Sequence, residues 1–126
     1  MGGHGMNPDK IEKLMMLVLR GTSEGAVKWV STKAPDSLTR ATEDFISVYL
    51  EAEYKGRILA VYEVRSKYYR DEDEWSWTSD VKFAVVREGV VVYETSSYSP
   101  ALRQLFAAAR HNAADVDKML EDLLDD

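Results

Sequence analysis

Four consecutive acidic residues, Asp71 to Glu74, are the group whose type and spacing most resemble a chemical site. Clustered carboxylates can hold a calcium ion, but a calcium loop also needs alternating oxygen ligands, a glycine for its sharp turn and a distant glutamate. Trp75 and Trp77 occupy the stretch where the glycine and further ligands would be required. We therefore predict that the acidic run forms a solvated hairpin tip and no metal site.

Side chains suited to catalysis are scarce in the rest of the chain. Outside the N-terminal segment His111 is the one histidine, and the chain contains no cysteine. A Ser-His-Asp arrangement would need His111 as its base. This residue lies among alanine and asparagine in a predicted helix, where an exposed surface histidine is expected. We therefore expect a non-enzymatic protein with no catalytic residue, no cofactor and no metal ion.

The acidic composition narrows the classes of partner. The 126 residues carry a formal net charge of −6, whereas a general nucleic-acid binder needs a basic surface for phosphate contacts. No apolar run approaches the length of a bilayer span, and no basic-then-apolar secretory signal begins the chain. The lack of cysteine fits a reducing compartment. We expect a cytoplasmic protein that binds neither nucleic acid nor membranes.

Residues 1–6 are interpreted as a flexible leader and residues 7–126 as one domain. The order Asn, Pro, Asp at positions 7–9 is typical of a helix start, and apolar residues then recur at helical spacing. A cation followed by Gly21 is typical of a helix end, so a helix is predicted over about 8–20.

The segment between this helix and residue 45 is predicted less regularly. A short strand is expected over 27–32, and a turn follows it at Ala34 to Ser37. Residues 38–42 are interpreted as a second short strand.

The last helix is predicted to begin at Pro100, with Ser99 as its cap. Its apolar residues, from Leu102 to Leu124, fall on one side at about 100° per residue, which indicates one continuous helix. A break near His111-Asn112 is the alternative, since neither residue is a strong helix former.

Residues 45–95 are predicted to form an antiparallel meander because apolar residues match across three hairpins. Three-residue loops are expected at 54–56 and 87–89, and a four-residue loop at 71–74. The predicted pairs are Leu50 with Ala60, Val48 with Tyr62, Tyr62 with Phe83, Ala60 with Val85, Arg65 with Asp80, Phe83 with Tyr93, and Lys82 with Glu94. The expected fold class is α+β, with an N-terminal helix, an antiparallel meander of about five strands and a long C-terminal helix packed on the sheet.

These registers place a second apolar surface on the sheet face opposite the main core. Either a helix covers that surface or it is a contact surface, because large apolar patches are seldom left exposed. We expect a homodimer or a protein partner to cover it, so the leading function is a protein-interaction module that is homodimeric through this face. The predicted interface residues are Tyr49, Leu59, Val61, Ala84, Val86, Val90 and Val92.

A small-molecule binder is the first alternative, with an aromatic pocket between helix and sheet. Its predicted lining residues are Tyr62, Tyr68, Trp77 and Phe83. An enzyme of unknown reaction is the remaining alternative. Trp75 and Trp77 are predicted to lie in the core or at its edge, because both align with the apolar register.

The element order, with Val27-Lys28-Trp29 in the first strand and the segment Leu102 to Arg110 in the last helix, resembles a loose class of small uncharacterised bacterial α+β proteins. Val116-Asp117 before Leu120 extends the likeness. The resemblance covers the two ends of the chain and implies the same fold, with no activity attached to it.

Overall fold

The computed structural model describes residues 8–38, 44–96 and 100–125, and its architecture is α+β. All five strands are antiparallel and lie in the order β1-β2-β3-β4-β5, so each strand pairs with its neighbour in the chain. The expected fold class is confirmed. The elements are α1 (Pro8–Ser23), β1 (Trp29–Ser31), a 3₁₀ turn (Asp36–Leu38), β2 (Phe45–Tyr54), β3 (Arg57–Tyr69), β4 (Trp75–Arg87), β5 (Val90–Ser96) and α2 (Pro100–Leu124).

Helix α1 begins at Pro8 as predicted, while the proposed Asn7 cap and the leader lie outside the described residues. The prediction that Gly21 ends the helix is wrong, because α1 continues to Ser23 and the left-handed residue is Gly25, with φ 80°. Gly21 meets a packing requirement instead. A Cβ atom there would lie 2.7 Å from Cγ2 of Val27, so the glycine lets the chain after α1 pack closely against the helix.

Helix α2 runs without a break from Pro100 to Leu124, which confirms the continuous helix. The predicted Ser99 cap lies outside the described residues. The helix is buried only along its first half, through Ala113. Among the described helices, neither is long and apolar enough to cross a membrane.

Trp29 ties the two helices to the edge of the sheet. Its side chain is fully buried, and the indole Nε1–H donates to Thr22 Oγ1 of α1 at 2.9 Å. Its backbone N–H donates to Asn112 Oδ1 of α2 at 2.8 Å. Strand β1 is shorter than the predicted 27–32, but it holds Trp29 opposite Ala52 of β2. The two helices and this tryptophan therefore form one core on one face of the sheet.

Two of the three hairpins have shorter loops than predicted. Tyr54 pairs with Arg57 and Arg87 with Val90, so the loops contain two residues each. In each loop both residues have positive φ: 52° at Lys55 and 79° at Gly56, then 54° and 77° at the corresponding Glu-Gly positions. Two successive positive φ values are the mark of a type I′ turn, whose twist matches that of the flanking strands.

The β3–β4 hairpin is also displaced by one residue from its predicted register. Tyr69 pairs with Trp75, and Val61 pairs with Phe83. The loop therefore contains five residues, 70–74, and not four. Arg65 lies opposite Ser79 and not opposite Asp80. Its guanidinium instead lies 3.6 Å from a Glu63 carboxylate oxygen.

Because of these displacements, the two faces of β3 are exchanged relative to the prediction. Leu59 and Val61 face the helices, whereas the prediction put Ala60 and Tyr62 there. The first one-residue shift, between β2 and β3, exchanges the faces of β3, and the second, between β3 and β4, restores the predicted faces of β4. The predicted orientations therefore hold for Leu50 on β2 and for residues 83–86 on β4. The predicted pairs Leu50 with Ala60, Val48 with Tyr62, Tyr62 with Phe83 and Ala60 with Val85 are therefore wrong.

Two bulges account for the remaining differences. One lies between Ile46 and Val48, where Val48 faces Glu63. The other lies on the β4–β5 ladder, so Val85 faces Tyr93 and the predicted pair of Phe83 with Tyr93 is wrong.

The second face of the sheet is covered by the chain itself. A smaller buried cluster lies there, and Ala34 and Leu38 pack against it. These two residues belong to residues 32–38, here called the strap, whose 3₁₀ turn reaches β5 at the edge opposite β1. The strand predicted over 38–42 lies largely outside the described residues, and residue 38 belongs to the 3₁₀ turn. The buried side chains of the cluster are Tyr49, Ala60, Tyr62, Ala84 and Val86.

Candidate interaction surface on the β3–β4 arm

Strands β3 and β4 are 13 residues long each, and they extend past their neighbours β2 and β5. Pairing between β2 and β3 ends at Arg65 of β3, and pairing between β4 and β5 ends at Lys82 of β4. Beyond these points, among the described residues, β3 and β4 pair only with each other. Residues 66–79, here called the arm, form a two-stranded ribbon that projects from the five-stranded sheet.

One face of the arm carries a group of exposed aromatic rings. Trp75 and Trp77 are each 46% exposed, and Phe45 at the start of β2 is 42% exposed. Their rings meet edge to face: the centroids of Phe45 and Trp77 are 5.3 Å apart, and those of Trp75 and Trp77 are 5.4 Å apart. Edge-to-face contact at this separation is a favourable geometry for aromatic pairs. The three rings therefore form one continuous apolar surface.

Lys67 lies within this group and completes what we call the aromatic surface, formed by Phe45, Lys67, Trp75 and Trp77. Its Nζ atom is 4.7 Å from the Trp75 ring centroid and 5.8 Å from that of Trp77. Both distances are within the range of cation–π attraction, which contributes about 0.5–1 kcal/mol at exposed sites. The ammonium thus helps to hold both rings in place while they remain open to solvent.

The prediction that Trp75 and Trp77 lie in the core or at its edge is wrong. Their side of the sheet is the one that the helices cover, but the arm extends beyond the helices. The sequence carried no signal for this, because Trp75 and Trp77 follow the alternation of β4 whether they lie under the helices or beyond them, and only the structure shows β3 and β4 extending past β2 and β5. Strands that extend past their neighbours project from the sheet, and the apolar residues on the projecting part are exposed.

The acidic run forms the turn at the end of the arm. The Asp71 carboxylate oxygen Oδ1 accepts backbone N–H bonds from Asp73 at 2.8 Å and Glu74 at 3.1 Å. The Arg70 N–H donates to the Glu74 carbonyl at 2.9 Å. An aspartate that bonds the backbone two or three residues ahead is a common turn-forming device. Within the described part of the chain, no group of three His, Asp or Glu residues is arranged to hold a metal ion.

Replacing the tip carboxylates with amides should leave the protein almost unchanged. We expect Asp71→Asn, Asp73→Asn and Glu74→Gln together to alter the free energy of unfolding by at most a few tenths of a kcal/mol, as is usual for surface sites. An amide oxygen at position 71 can still accept both backbone bonds. Urea denaturation with and without calcium measures this, and calcium-dependent stabilisation that the triple variant loses would contradict the turn assignment.

A polar cluster on the second face links three strands. The Tyr62 hydroxyl donates to Glu94, whose other carboxylate oxygen lies 3.4 Å from Lys82 Nζ. Lys82 and Glu94 were predicted to be directly opposite each other. They are diagonal, because Lys82 pairs with Ser96 and Glu94 with Ala84. Tyr49 donates in the same way to Glu51, at 2.7 Å.

Burial, followed by the adjacent carboxylates, raises the pKa of Tyr49 and of Tyr62 well above the ordinary tyrosine value. A tyrosine held in its protonated form is a poor general base, so the contacts among Tyr62, Lys82 and Glu94 have a structural role in joining β3, β4 and β5.

The seven residues predicted to form one interface lie in three environments. Leu59 and Val61 are buried under the helices, and Val90 and Val92 are exposed on the edge strand β5. The other three, Tyr49, Ala84 and Val86, are buried in the second-face cluster. The premise of a single uncovered face therefore does not hold.

The four aromatics predicted to line one pocket do not converge either. Phe83 is buried in the main core and Tyr62 in the second-face cluster, on opposite sides of the sheet. Tyr68 and Trp77 are exposed on the arm. The reversed orientation of β3 separates Tyr62 from Phe83, so the proposed lining is wrong.

A serine with the spacing GxSxG occurs at Gly21–Gly25, a pattern that can place a nucleophile on a strand-to-helix turn. Here the segment ends a helix, and Ser23 is exposed as the last residue of α1. His111 is exposed and lies 3.6 Å from Asp115 one turn further along α2. In the described residues Ser23 and His111 share no hydrogen bond, so the motif lacks the context of a nucleophile.

Comparison of the chain with protein-family models, with curated proteins and with solved structures finds no match.

Proposed function

We propose that this protein is a non-enzymatic, cytoplasmic protein-interaction module that binds its partner through the aromatic surface of the arm. One observation carries the proposal. Three aromatic rings lie side by side in edge contact, each more than two-fifths exposed, on a part of the sheet that neither helix covers.

Exposed aromatics of this kind are better explained by binding than by folding. Tryptophan and tyrosine dominate the energetic centres of protein interfaces, because they bury a large area with few rotatable bonds. Scattered exposed apolar residues are ordinary, whereas a contiguous group indicates a contact surface. The ring contacts and Lys67 also fix the surface before a partner arrives, which lowers the entropy lost on binding.

A protein is the class of partner that this surface favours. Four carboxylates at the end of the arm, at positions 71–74, oppose the approach of a phosphate backbone. Rings that meet edge to face at 85° do not offer the parallel platforms on which successive bases stack. The surface fits a partner that presents an apolar patch with a carboxylate facing Lys67.

Two further observations support a role without catalysis in a reducing compartment. The tyrosines of the second-face cluster are held protonated, and His111 is a solvated helix residue. The chain also has no cysteine, which is compatible with the cytoplasm.

Removing the two exposed tryptophans should abolish binding without harming the fold. We expect Trp75→Ser with Trp77→Ser to weaken partner binding by at least about 2 kcal/mol, roughly 30-fold in Kd, as for interface hot spots. The variant should stay folded, because both side chains lie outside the two buried clusters, and its melting temperature should fall only by the loss of the ring and cation–π contacts on the arm. Partners recovered from the native host are identified by mass spectrometry, purified and titrated against each variant by calorimetry.

The matched control is Val90→Ser with Val92→Ser, two residues of β5 that are more than half exposed and lie away from the arm. Its affinity should equal that of the wild type. If the partner binds the arm variant and the wild type equally, or if the β5 variant alone loses binding, the proposed surface is wrong.

A further inference from the structure

The second half of α2 carries an apolar stripe that none of the described residues covers. Leu102, Leu105 and Ala109 are fully buried, and Ala113 is the last buried residue of the stripe. The same side of the helix continues beyond it, where Leu123 and Leu124 are 77% and 85% exposed. Residues 114–124, here called the terminal segment, extend about 16 Å at 1.5 Å per residue.

The terminal segment has the apolar spacing of a helix that packs against another surface. Met119, Leu120 and Leu123 recur at the spacing of a helix-packing seam, and Met119 and Leu120 are each more than half exposed. A helical stretch of this length is marginal in water without tertiary packing. Five acids and one lysine occupy positions 114–125, and acids near a helix C-terminus oppose the helix dipole. A surface that offers apolar contacts and positive charge would pack against this helical stretch and would also offset its acids.

The outward face of α1 offers both features. Met16 and Leu17 are exposed there, and they line a shallow depression of about 540 Å³ together with Glu12, Lys13, Leu19 and Arg20, so two cations outnumber one acid. The inward face of α1 packs into the core that α2 shares. The outward face therefore points away from the α2 helix of the same chain, so a terminal segment can reach it only from a second copy.

We propose that the terminal segment of α2 docks on the outward face of α1 in a second copy of the chain, and that the exchange is reciprocal about a two-fold axis. Each copy supplies one terminal segment and one α1 face, which is the closed arrangement typical of homodimers. Leu120 and Leu123 contact Met16 and Leu17 of the other copy, while the acids of the segment face Lys13 and Arg20.

Charge distinguishes this arrangement from direct pairing of two terminal segments. Two such segments would bring four acids against four acids with one lysine on each side. Like charges in close contact disfavour association. This self-association uses neither the second sheet face nor the aromatic surface of the arm, so it is independent of the proposed function.

Sedimentation equilibrium over low micromolar to submillimolar protein tests the proposal. The wild type should be a reversible dimer, and Leu120→Asp with Leu123→Asp should be a monomer at every concentration. The double variant should retain its thermal stability as a monomer, because both leucines are exposed in the single chain. Trp75→Ser with Trp77→Ser should leave the dimer unchanged, which separates this test from that of the arm.

A charge exchange identifies the docking site. We expect Arg20→Glu alone, and Glu121→Lys with Asp122→Lys alone, each to raise the dimer Kd about tenfold or more through like-charge contacts. Mixing the two variants should restore wild-type affinity in a heterodimer, since each acidic side then faces a basic one. All three substituted positions are exposed, so folding does not confound the result.

A wild type that stays monomeric at submillimolar concentration would overturn the proposal. It would also be overturned by a dimer that Leu120→Asp with Leu123→Asp disrupts but Arg20→Glu does not, because the segment would then bind elsewhere. Failure of the mixed variants to form a heterodimer would exclude the reciprocal contact.

Discussion

Val61→Lys should unfold the protein or leave it barely folded at 25 °C. Val61 has no exposed surface, and it lies between Leu50 and Phe83 on the sheet face that both helices cover. A lysine there must either bury an unpaired ammonium or force the helices away from the sheet. A buried charge without a partner destabilises by about 3–5 kcal/mol, a large part of the 5–15 kcal/mol typical of a domain.

The matched control for this variant is Val90→Lys, the same substitution at a β5 position that is more than half exposed. It should change the free energy of unfolding by no more than about 0.5 kcal/mol, as surface substitutions do. Urea denaturation followed by circular dichroism measures both variants. A Val61→Lys protein of wild-type stability would mean that β3 has the orientation predicted from the sequence, with Val61 on the uncovered face.

Stability should fall steeply above pH 10 because of two buried tyrosines. Burial and the adjacent carboxylates raise the folded-state pKa of Tyr49 and Tyr62 above the unfolded value of about 10. Above pH 10 the unfolded chain gives up these two protons while the folded chain keeps them. The stabilisation from each tyrosine is therefore complete below pH 10 and is lost as the pH rises towards the folded value, by about 1.4 kcal/mol per pH unit.

Two such tyrosines give a slope of about 2.7 kcal/mol per pH unit. The measurement is urea unfolding between pH 9 and pH 12, with Tyr49→Phe plus Tyr62→Phe as the comparison. Exposed tyrosines and lysines titrate alike in both proteins, so the difference isolates the buried pair. The variant should be less stable near neutral pH, because Glu51 and Glu94 lose hydrogen-bond donors, and its curve should be flatter above pH 10. Equal slopes would show that neither tyrosine has a raised pKa.

The elements were predictable from the sequence because their signals are local. Pro8 and Pro100 each stand at the first position of a helix, and the apolar period of α2 continues through His111. The order of helices and strands along the chain followed from these local signals, and the α+β class followed from that order. A strong local pattern needs no knowledge of what it packs against.

The registers were not predictable in the same way, because each depends on a single loop. Lys55 and Glu88 take positive φ without being Asn, Asp or Gly, which are the residues that usually announce a type I′ turn. Apolar residues occupy both faces of β3, so Ala60 and Tyr62 satisfied the predicted core as well as Leu59 and Val61 did. A one-residue shift in pairing then exchanged the two faces of β3.

The candidate site was hidden by the same ambiguity. Trp75 and Trp77 match the apolar register of β4, and register alone cannot tell a core position from one beyond the end of the helices. The bulge near Ser47 and the crossing of the second face by the strap are tertiary features. They decide which apolar residues are covered, and they leave no signature in the local sequence.

Site-specific photo-crosslinking in the native host most directly tests the central claim that the arm is a protein-binding surface. A photoreactive phenylalanine analogue replaces Phe45, within the aromatic surface, or Val90 on β5 as the control. Crosslinking from position 45 should give adducts of discrete mass with a second protein, and these should disappear when Trp75→Ser and Trp77→Ser are added. Position 90 should give no such adducts. Adducts at position 90 alone, or at neither position, would contradict the proposed function.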